Sequence, residues 1–470
     1  MVVILGAGLA GLSAAHHLGG RDALVLERER EVGGLCRSFR REGFTFDCTG
    51  HLLHLRDPEV RRWALELLPE GWANLHRSAW IWSHGALTPY PFQANTAGLP
   101  VEVRLECLLG FVEALRRERR GEAPRPVPAP APLDPALPFL QVAPEPAPDE
   151  PSFLDWVMAH FGAGFARHFF VPYNEKMWRR PLSEVTGDWT SWSIPRPALA
   201  DVLRGALTTS DKAFGYNPDF LYPREGGIDR LPHAIAAGLP AGVVRTGCTV
   251  AALHAGRRRV RLENGETHEG EALLSSLPLP LLASLTEDLP AELRAAAGTL
   301  QHVSVRVVNL GVRGPPAHGD AQWVYVPAPD VPYHRIGFPC ALTPTMAPAG
   351  CHSIIAEISF RPDAPTAREA SVADTRRALL AAGFLRDERD IVLEWVLDIP
   401  EAYVLFDRAR RHVLPALFRW YVERGVVPLG RYGAWDYLSM EDCLRHGRQA
   451  AEWVLARRAG RPAAAEPRRR

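Results

Sequence analysis

Glycines 6, 8 and 11, the acid Glu27 and the paired glycines 33 and 34 stand at spacings suited to holding a dinucleotide. Gly6-Ala-Gly8-Leu9-Ala10-Gly11 is a G-x-G-x-x-G run. Its glycines suit a tight turn, close approach of the backbone to a pyrophosphate, and close packing of a helix on a strand. Residues 1–5 read as a short buried parallel strand, 12–18 as a helix whose N-terminus faces the phosphates, and 23–26 as a second strand. Glu27 closes that strand, where a carboxylate accepts hydrogen bonds from ribose hydroxyls. A glycine run alone is weak, and its bland alternative is a turn that binds nothing. Strand, glycines, helix, strand and acid in register carry the reading.

A second set of residues could recognise an anion attached to a ring. Tyr90, Phe92 and Gln93 lie in Thr88-Pro-Tyr-Pro-Phe-Gln93, and Asn174 in Pro172-Tyr-Asn-Glu-Lys-Met-Trp178. Trp323 and Tyr325 lie in Trp-Val-Tyr with Arg335 downstream, and Arg431 and Tyr437 in Gly430-Arg-Tyr-Gly-Ala-Trp-Asp-Tyr437. Aromatics interleaved with a planar cation suit stacking on a base and bidentate capture of a phosphate. Core packing explains any one of these aromatics as readily. His51, in Cys48-Thr-Gly-His51, is either a proton-handling group or a histidine satisfied in a polar turn. No side-chain acid–base pair stands out.

These residues need elements to hold them. A chain of 470 residues suffices for two or three units with substantial cores. Its 54 basic and 54 acidic side chains give a formal net charge of zero, so nothing points to nucleic acid as a partner. The 7 cysteines have no C-x-x-C spacing and suggest neither a disulfide framework nor a metal site. No apolar run approaches the roughly 18 residues of a membrane span. The apolar start is too short for a signal sequence, so a soluble, cytoplasmic protein is expected.

Residues 121–151 are dominated by Pro and Ala and read as an extended surface linker rather than core. Helices are expected at 58–68, 101–120 and 152–170, the last capped by Ser152. A turn enters a helix over 222–231, and a strand follows in 243–253. A hairpin over 257–263 turns at Asn264-Gly265, and a buried strand returns at 272–277. The β-branched runs 303–310 and 353–359 fit a mixed or antiparallel sheet, and a loop from 430 leads into a helix at 450–455. The expected class is α/β. A discontinuous Rossmann-like domain draws on 1–60, 220–300 and 400–458, with an inserted helical lobe at 61–219. A β-sheet substrate lobe spans 301–399, and a disordered tail 459–470.

Gly33-Gly34 resembles the paired-glycine extension of FAD enzymes related to amine oxidases, protoporphyrinogen oxidase and carotenoid desaturases. In that group a second glycine-rich loop runs along the FAD diphosphate, so the resemblance implies FAD. It would meet Gly6, Gly8, Leu9, Ala10 and Gly11 in the first loop, and Glu27 and Arg28 at the strand end. Gly33, Gly34 and Leu35 would meet it in the second loop, and Val250, Gly430 and Arg431 beyond. Within the group, the aromatic motifs are similar, in order and over most of the chain, to those of the eukaryotic-type UDP-galactopyranose mutases. That resemblance implies a nucleotide-sugar substrate, a separate flavin reductant, and pyranose–furanose interconversion through attack of reduced FAD N5 on the anomeric carbon.

The mutase resemblance also assigns roles. Tyr90, Phe92 and Gln93 hold the base, with Asn174, Trp323 and Tyr325 lining the substrate. Arg335, Tyr403 and Tyr437 neutralise the diphosphate. Arg431 lies by the flavin and His51 near its N5, so His51, Arg335, Arg431 and Tyr437 form the catalytic set. Several positions depart from the mutase pattern. Thr49 replaces a glycine, Val171 replaces half of an arginine clamp, and Glu441 replaces an asparagine, while 336–341 lacks a tyrosine. Arg167 or Arg196 could substitute at the clamp. A flavin oxidoreductase acting on an amine, porphyrinogen or polyene is the second reading, and an inactive flavoprotein that serves as a binding partner the third.

Overall fold

Val2–Leu5, Ala23–Leu26 and Ala272–Ser275 are apolar runs buried along their whole length, as strands of a parallel sheet covered on both faces must be. They pair in parallel, with Val2–Leu5 in the middle. Val244–Arg245 extends the sheet beside Ala23–Leu26, and Val426–Pro428 extends it beside Ala272–Ser275. This computed structural model describes residues 1–69, 71–122, 129–190, 194–209, 218–317 and 319–460. The helix Leu9–His17 packs against the helix Met440–Arg458, and Ser13 Oγ donates to the Leu444 carbonyl at 2.6 Å. The expected hairpin forms as Arg259–Leu262 paired antiparallel with Thr267–Glu269.

A second sheet has seven strands in the order Ile391–Val404, His302–Arg313, Cys351–Phe360, Arg335–Gly337, Trp323–Tyr325, Ala79–Ser83, Ala86–Pro89. It is mixed: all neighbours are antiparallel except Trp323–Tyr325 and Ala79–Ser83. One face, bearing Val308, Leu310, Ile336 and Ala356, clusters with Val372 and Leu379 of the helix Arg368–Ala381. Val303, Val305 and Val307 join the main core instead.

Three expectations are corrected. The sheet is not confined to 301–399, because Ala79–Ser83 and Ala86–Pro89 come from the segment read as helical. Alternating burial of Ala79-Trp-Ile-Trp-Ser83 is the period of a strand, and His302 pairing with Val404 carries the last strand past 399. The helix expected over 152–170 begins as read, with a Ser152–Asp155 capping box, but is interrupted. Gly162 turns to φ 75° where it meets the helix Val101–Arg119. A Cβ there would lie 2.0 Å from the Gly110 carbonyl oxygen. Beyond it a π-helical turn, Ala166–Phe170, passes into the helix Val171–Trp178.

Third, the proline-rich segment is not all surface linker. Ala131–Asp134 and Leu137–Val142 form an antiparallel hairpin with Leu137 and Leu140 fully buried, and the Phe139 ring lies 4.6 Å from that of His446. The apolar Leu-Pro-Phe-Leu run inside the Pro/Ala text brings it into the core. Residues 123–128 of that segment, and 461–470 of the expected tail, lie outside the described residues. Among the described residues no helix is long and apolar enough to cross a membrane.

Candidate functional site

The two glycine loops lie against each other. Gly33 donates its amide to the Ala7 carbonyl at 2.8 Å, and Gly8 and Gly33 form a parallel bridge. Gly33 sits at φ 118°, open only to glycine, and a Cβ there would come 2.8 Å from the Cys36 carbonyl oxygen. The helix Leu9–His17 starts at Gly8 with no side-chain cap and no acid in its first turn, the condition in which first-turn amides accept an anion. Glu27 accepts from the Ala7 amide at 2.7 Å and the Glu29 amide at 2.9 Å, one on each oxygen. Each oxygen keeps a lone pair for a ribose hydroxyl.

This cradle of bare glycines, uncapped helix and fixed carboxylate fits an FAD. Leu9 and Ala10 are buried, Leu35 and Val250 half-buried, and Gly430 stands against Ala10. Arg28 is exposed and pairs with Glu29 at 3.3 Å. Arg431 Nε is buried with no hydrogen-bond partner, while its Nη1 donates to the Leu438 carbonyl at 2.8 Å.

The second set of residues converges across the seven-stranded sheet. Tyr325 stands opposite Arg335, and Arg335 opposite Glu357, in one row over three strands. Directly opposed residues share a face, so one guanidinium lies between a phenol and a carboxylate. Arg335 Nη2 donates to both Glu357 oxygens at 2.8 Å, with side chains only 22% and 4% exposed. Burial alone would raise the Glu357 carboxyl, but Arg335 and His334 hold it down at about 2.

Around this pair the rings of Tyr90 and Tyr173 each lie 5.5 Å from that of Tyr325. Tyr403 stacks on Tyr437 at 6.2 Å, and the Arg431 guanidinium sits 4.3 Å from the Tyr437 ring. Burial raises the Tyr403 phenol, which therefore stays a protonated donor. His51 Nδ1 lies 3.1 Å from the Thr49 carbonyl, and a Cβ on its neighbour Gly50 would stand 3.9 Å from Arg335 Nη2. Burial pushes the His51 imidazole down to about 4, so it is neutral near pH 7.

Phe92, Gln93 and Asn174 spend their contacts within the protein. Phe92 is 0% exposed and stacks on Phe169 at 5.0 Å, so its ring packs within the core. Gln93, 2% exposed, spends its amide on the Pro195 carbonyl at 2.8 Å. Asn174, in the helix Val171–Trp178, donates to the carbonyl of Phe170 at the end of the widened turn at 2.8 Å. Trp323, half-buried and 6.4 Å from the Phe220 ring, lies two residues before Tyr325 on the same strand and so on the same face of the sheet. Arg167 and Arg196, the candidates for the missing arginine, are exposed and pair with Glu106 at 2.9 Å and Glu118 at 3.0 Å, both on the helix Val101–Arg119. Glu441 accepts from the backbone amides of Arg56 and Asp57 at the entrance to the helix Pro58–Leu67, so its departure is not at the aromatic cluster.

Sequence reasoning missed Tyr173, Glu357, His334 and Arg77, whose guanidinium lies 5.1 Å over the Tyr90 ring. Glu357 carried a signal: an acid amid Ile354-Ile-Ala-Glu-Ile358 must find a cation or stay out of the core. Arg77 carried none.

A family model described as flavin-containing amine oxidoreductase matches residues 9–455. A crystal structure of reduced UDP-galactopyranose mutase superposes with a TM-score of 0.84 at 27% identity, covering 97% of this chain and 95% of that one. Putrescine oxidase bound to putrescine gives 0.63 at 19% identity, covering 97% and 98%, a likeness of fold. Human all-trans-retinol 13,14-reductase is 36% identical over 80 residues, which are 16% of this chain and 13% of that protein.

Proposed function

Since this chain belongs to the flavin-containing amine oxidoreductase family, we propose that it is a flavin-dependent nucleotide-sugar mutase interconverting pyranose and furanose forms. The observation that carries the reading is the convergence of Tyr325, Arg335, Tyr403, Arg431 and Tyr437 from separate segments, beside the loop that holds His51. The mutase structure, similar over nearly the whole chain, supports it. Reduced FAD, when bound, supplies a nucleophilic nitrogen for the anomeric carbon.

The chain's own residues bind and orient. Nη2 of Arg335 is committed to Glu357, and its remaining N–H groups meet the diphosphate. The hydroxyls of Tyr403 and Tyr437 donate to phosphate oxygens as negative charge grows on the departing nucleotide. Tyr90 stacks on the base. His51, neutral, accepts a hydrogen bond rather than delivering a proton. Incubating dithionite-reduced protein with UDP-galactopyranose and other nucleotide sugars, then separating the products, tests this. Absence of a furanose from every candidate sinks it.

One observation favours a second reading, a flavin oxidoreductase. Glu357 pairs with Arg335, Val171 stands where the mutases carry an arginine, and five tyrosines (90, 173, 325, 403 and 437) line the cleft, so much of its surface is aromatic. An apolar polyene suits such a surface, and the local match to a retinol reductase agrees with it. Anaerobic bleaching of the flavin by an amine or a retinoid, without any response to UDP, would favour this alternative.

A further inference from the structure

Eleven large apolar side chains are exposed among the described residues, and six of them lie on two helices. Val101, Leu105 and Leu109 stand on the helix Val101–Arg119, and Leu199, Leu203 and Leu207 on the helix Leu199–Leu207, each 37–82% exposed. A spacing of four keeps each trio on one face of its helix. The opposite faces, with Cys107 and Phe111 on one helix and Val202 on the other, are buried, so the outward trios are not used by the core. The helices lie side by side and run in opposite directions. Arg104 Nη1 donates to the Ala206 carbonyl at 2.9 Å near one end, and Arg196 Nη2 meets Glu118 at 3.0 Å near the other. The two trios therefore adjoin in one apolar face, of a kind that monomeric proteins rarely leave to water.

The charges beside this face select its occupant. The helix Val101–Arg119 carries four acids and four arginines, so its charge sums to zero. A helix that lies on an anionic lipid surface has an excess of cations, which this one lacks. Its charges are instead sorted by end: Glu102 is in the first turn, and Arg116, Arg117 and Arg119 are in the last. Arg116 and Arg117 are only loosely held within the helix, 3.9 Å and 3.7 Å from Glu113. Turned end for end against its own copy, the helix sets each acidic end against a basic one. We propose that this two-helix face joins two copies of the chain, packed antiparallel about a two-fold axis near Leu109, with Glu102 of each copy beside Arg116 of the other.

Sedimentation equilibrium of the FAD-loaded full chain over a range of concentrations tests this. The wild-type protein should have twice the mass of one chain. Leu109→Arg sets two like charges against each other at the axis and should raise the dimer dissociation constant about a hundredfold or more. Its flavin content should not change, because the replaced side chain is exposed. Glu102→Arg and Arg116→Glu should each weaken the dimer about fivefold, and the two together should restore it. That exchange reads the antiparallel arrangement even if Leu109→Arg does not fold. Leu455→Arg, at an exposed leucine on the helix Met440–Arg458, should leave the dimer intact. A wild-type protein of single-chain mass at every concentration overturns the proposal, as does a dimer that survives Leu109→Arg. A single chain that binds vesicles of anionic lipid, and loses them on Leu109→Arg, overturns it in favour of a lipid surface.

Discussion

The nucleotide cradle and the aromatic cleft are assembled in opposite ways. The cradle draws its glycines and acid from the first 34 residues, and its contacts are mostly backbone, such as Gly33 to Ala7 and Ala7 to Glu27. The cleft takes Arg77, Tyr90, Tyr173, Tyr325, Arg335, Glu357, Tyr403, Arg431 and Tyr437 from separate segments, and side chains make its contacts. Backbone contacts survive most changes of side chain. A cleft of side chains has no such reserve, because one replacement alters the charge balance of every neighbour.

The comparison is broken most severely at Glu357. Glu357→Ala leaves Arg335 unpaired in a buried site, and the cost to stability should be about 3–5 kcal/mol, read by chemical denaturation. The cradle should still bind flavin at low temperature. The native Glu357 carboxyl lies well below its unfolded value, so the pair stabilises the fold above the usual carboxylate range. That stability is lost as pH falls from near 5 toward about 2, and the Ala variant should lack this part of the acid transition.

Phe92→Ala separates the aromatics that pack from those that bind. A ring wholly buried on Phe169 should cost about 3–5 kcal/mol when truncated. Tyr90→Leu should instead weaken UDP binding with stability nearly unchanged. A Phe92→Ala protein of normal stability but poor UDP affinity would return Phe92 to the ligand. Gly33→Ala attacks the cradle, where the strained φ and the Cys36 carbonyl should cost about 1–3 kcal/mol. FAD affinity should fall at least tenfold in an otherwise folded chain, measured by flavin release on dilution.

The smallest effect concerns His51. Its imidazole is depressed to about 4, so its neutral form stabilises the fold above the unfolded value near 6.5. That contribution declines as pH falls from 6.5 to about 4. His51→Gln should flatten the loss of stability across this window, and an unchanged profile would place the histidine in solvent.

The parallel strands, the glycine loops, the Glu27 carboxylate and the Asn264-Gly265 hairpin were legible because each depends on neighbours in sequence. A buried strand is an apolar run, and a tight turn is a glycine at a fixed offset. The Ser152 cap was legible for the same reason, standing just before a helical apolar pattern, while its partner Asp155 came from the structure. The sheet membership of Ala79–Ser83, the buried hairpin at Leu137–Val142 and the burial of Phe92 were not. Each depends on which distant surface covers the segment, and neither composition nor period records that.

The sequence by itself laid out a cradle that fits a dinucleotide, and the loops that form it, since local backbone geometry and glycine spacing suffice for that. It also singled out Arg335, Tyr90, Tyr325 and Tyr437 by type, but not Tyr173. Only the tertiary structure decided that Arg335 is half spent on Glu357, that Arg167 and Arg196 are bound elsewhere, and that Arg77 stands over Tyr90. The physical reason is that charge balance in a buried site is a property of cross-strand neighbours, and strands far apart in the chain become neighbours only when the sheet closes.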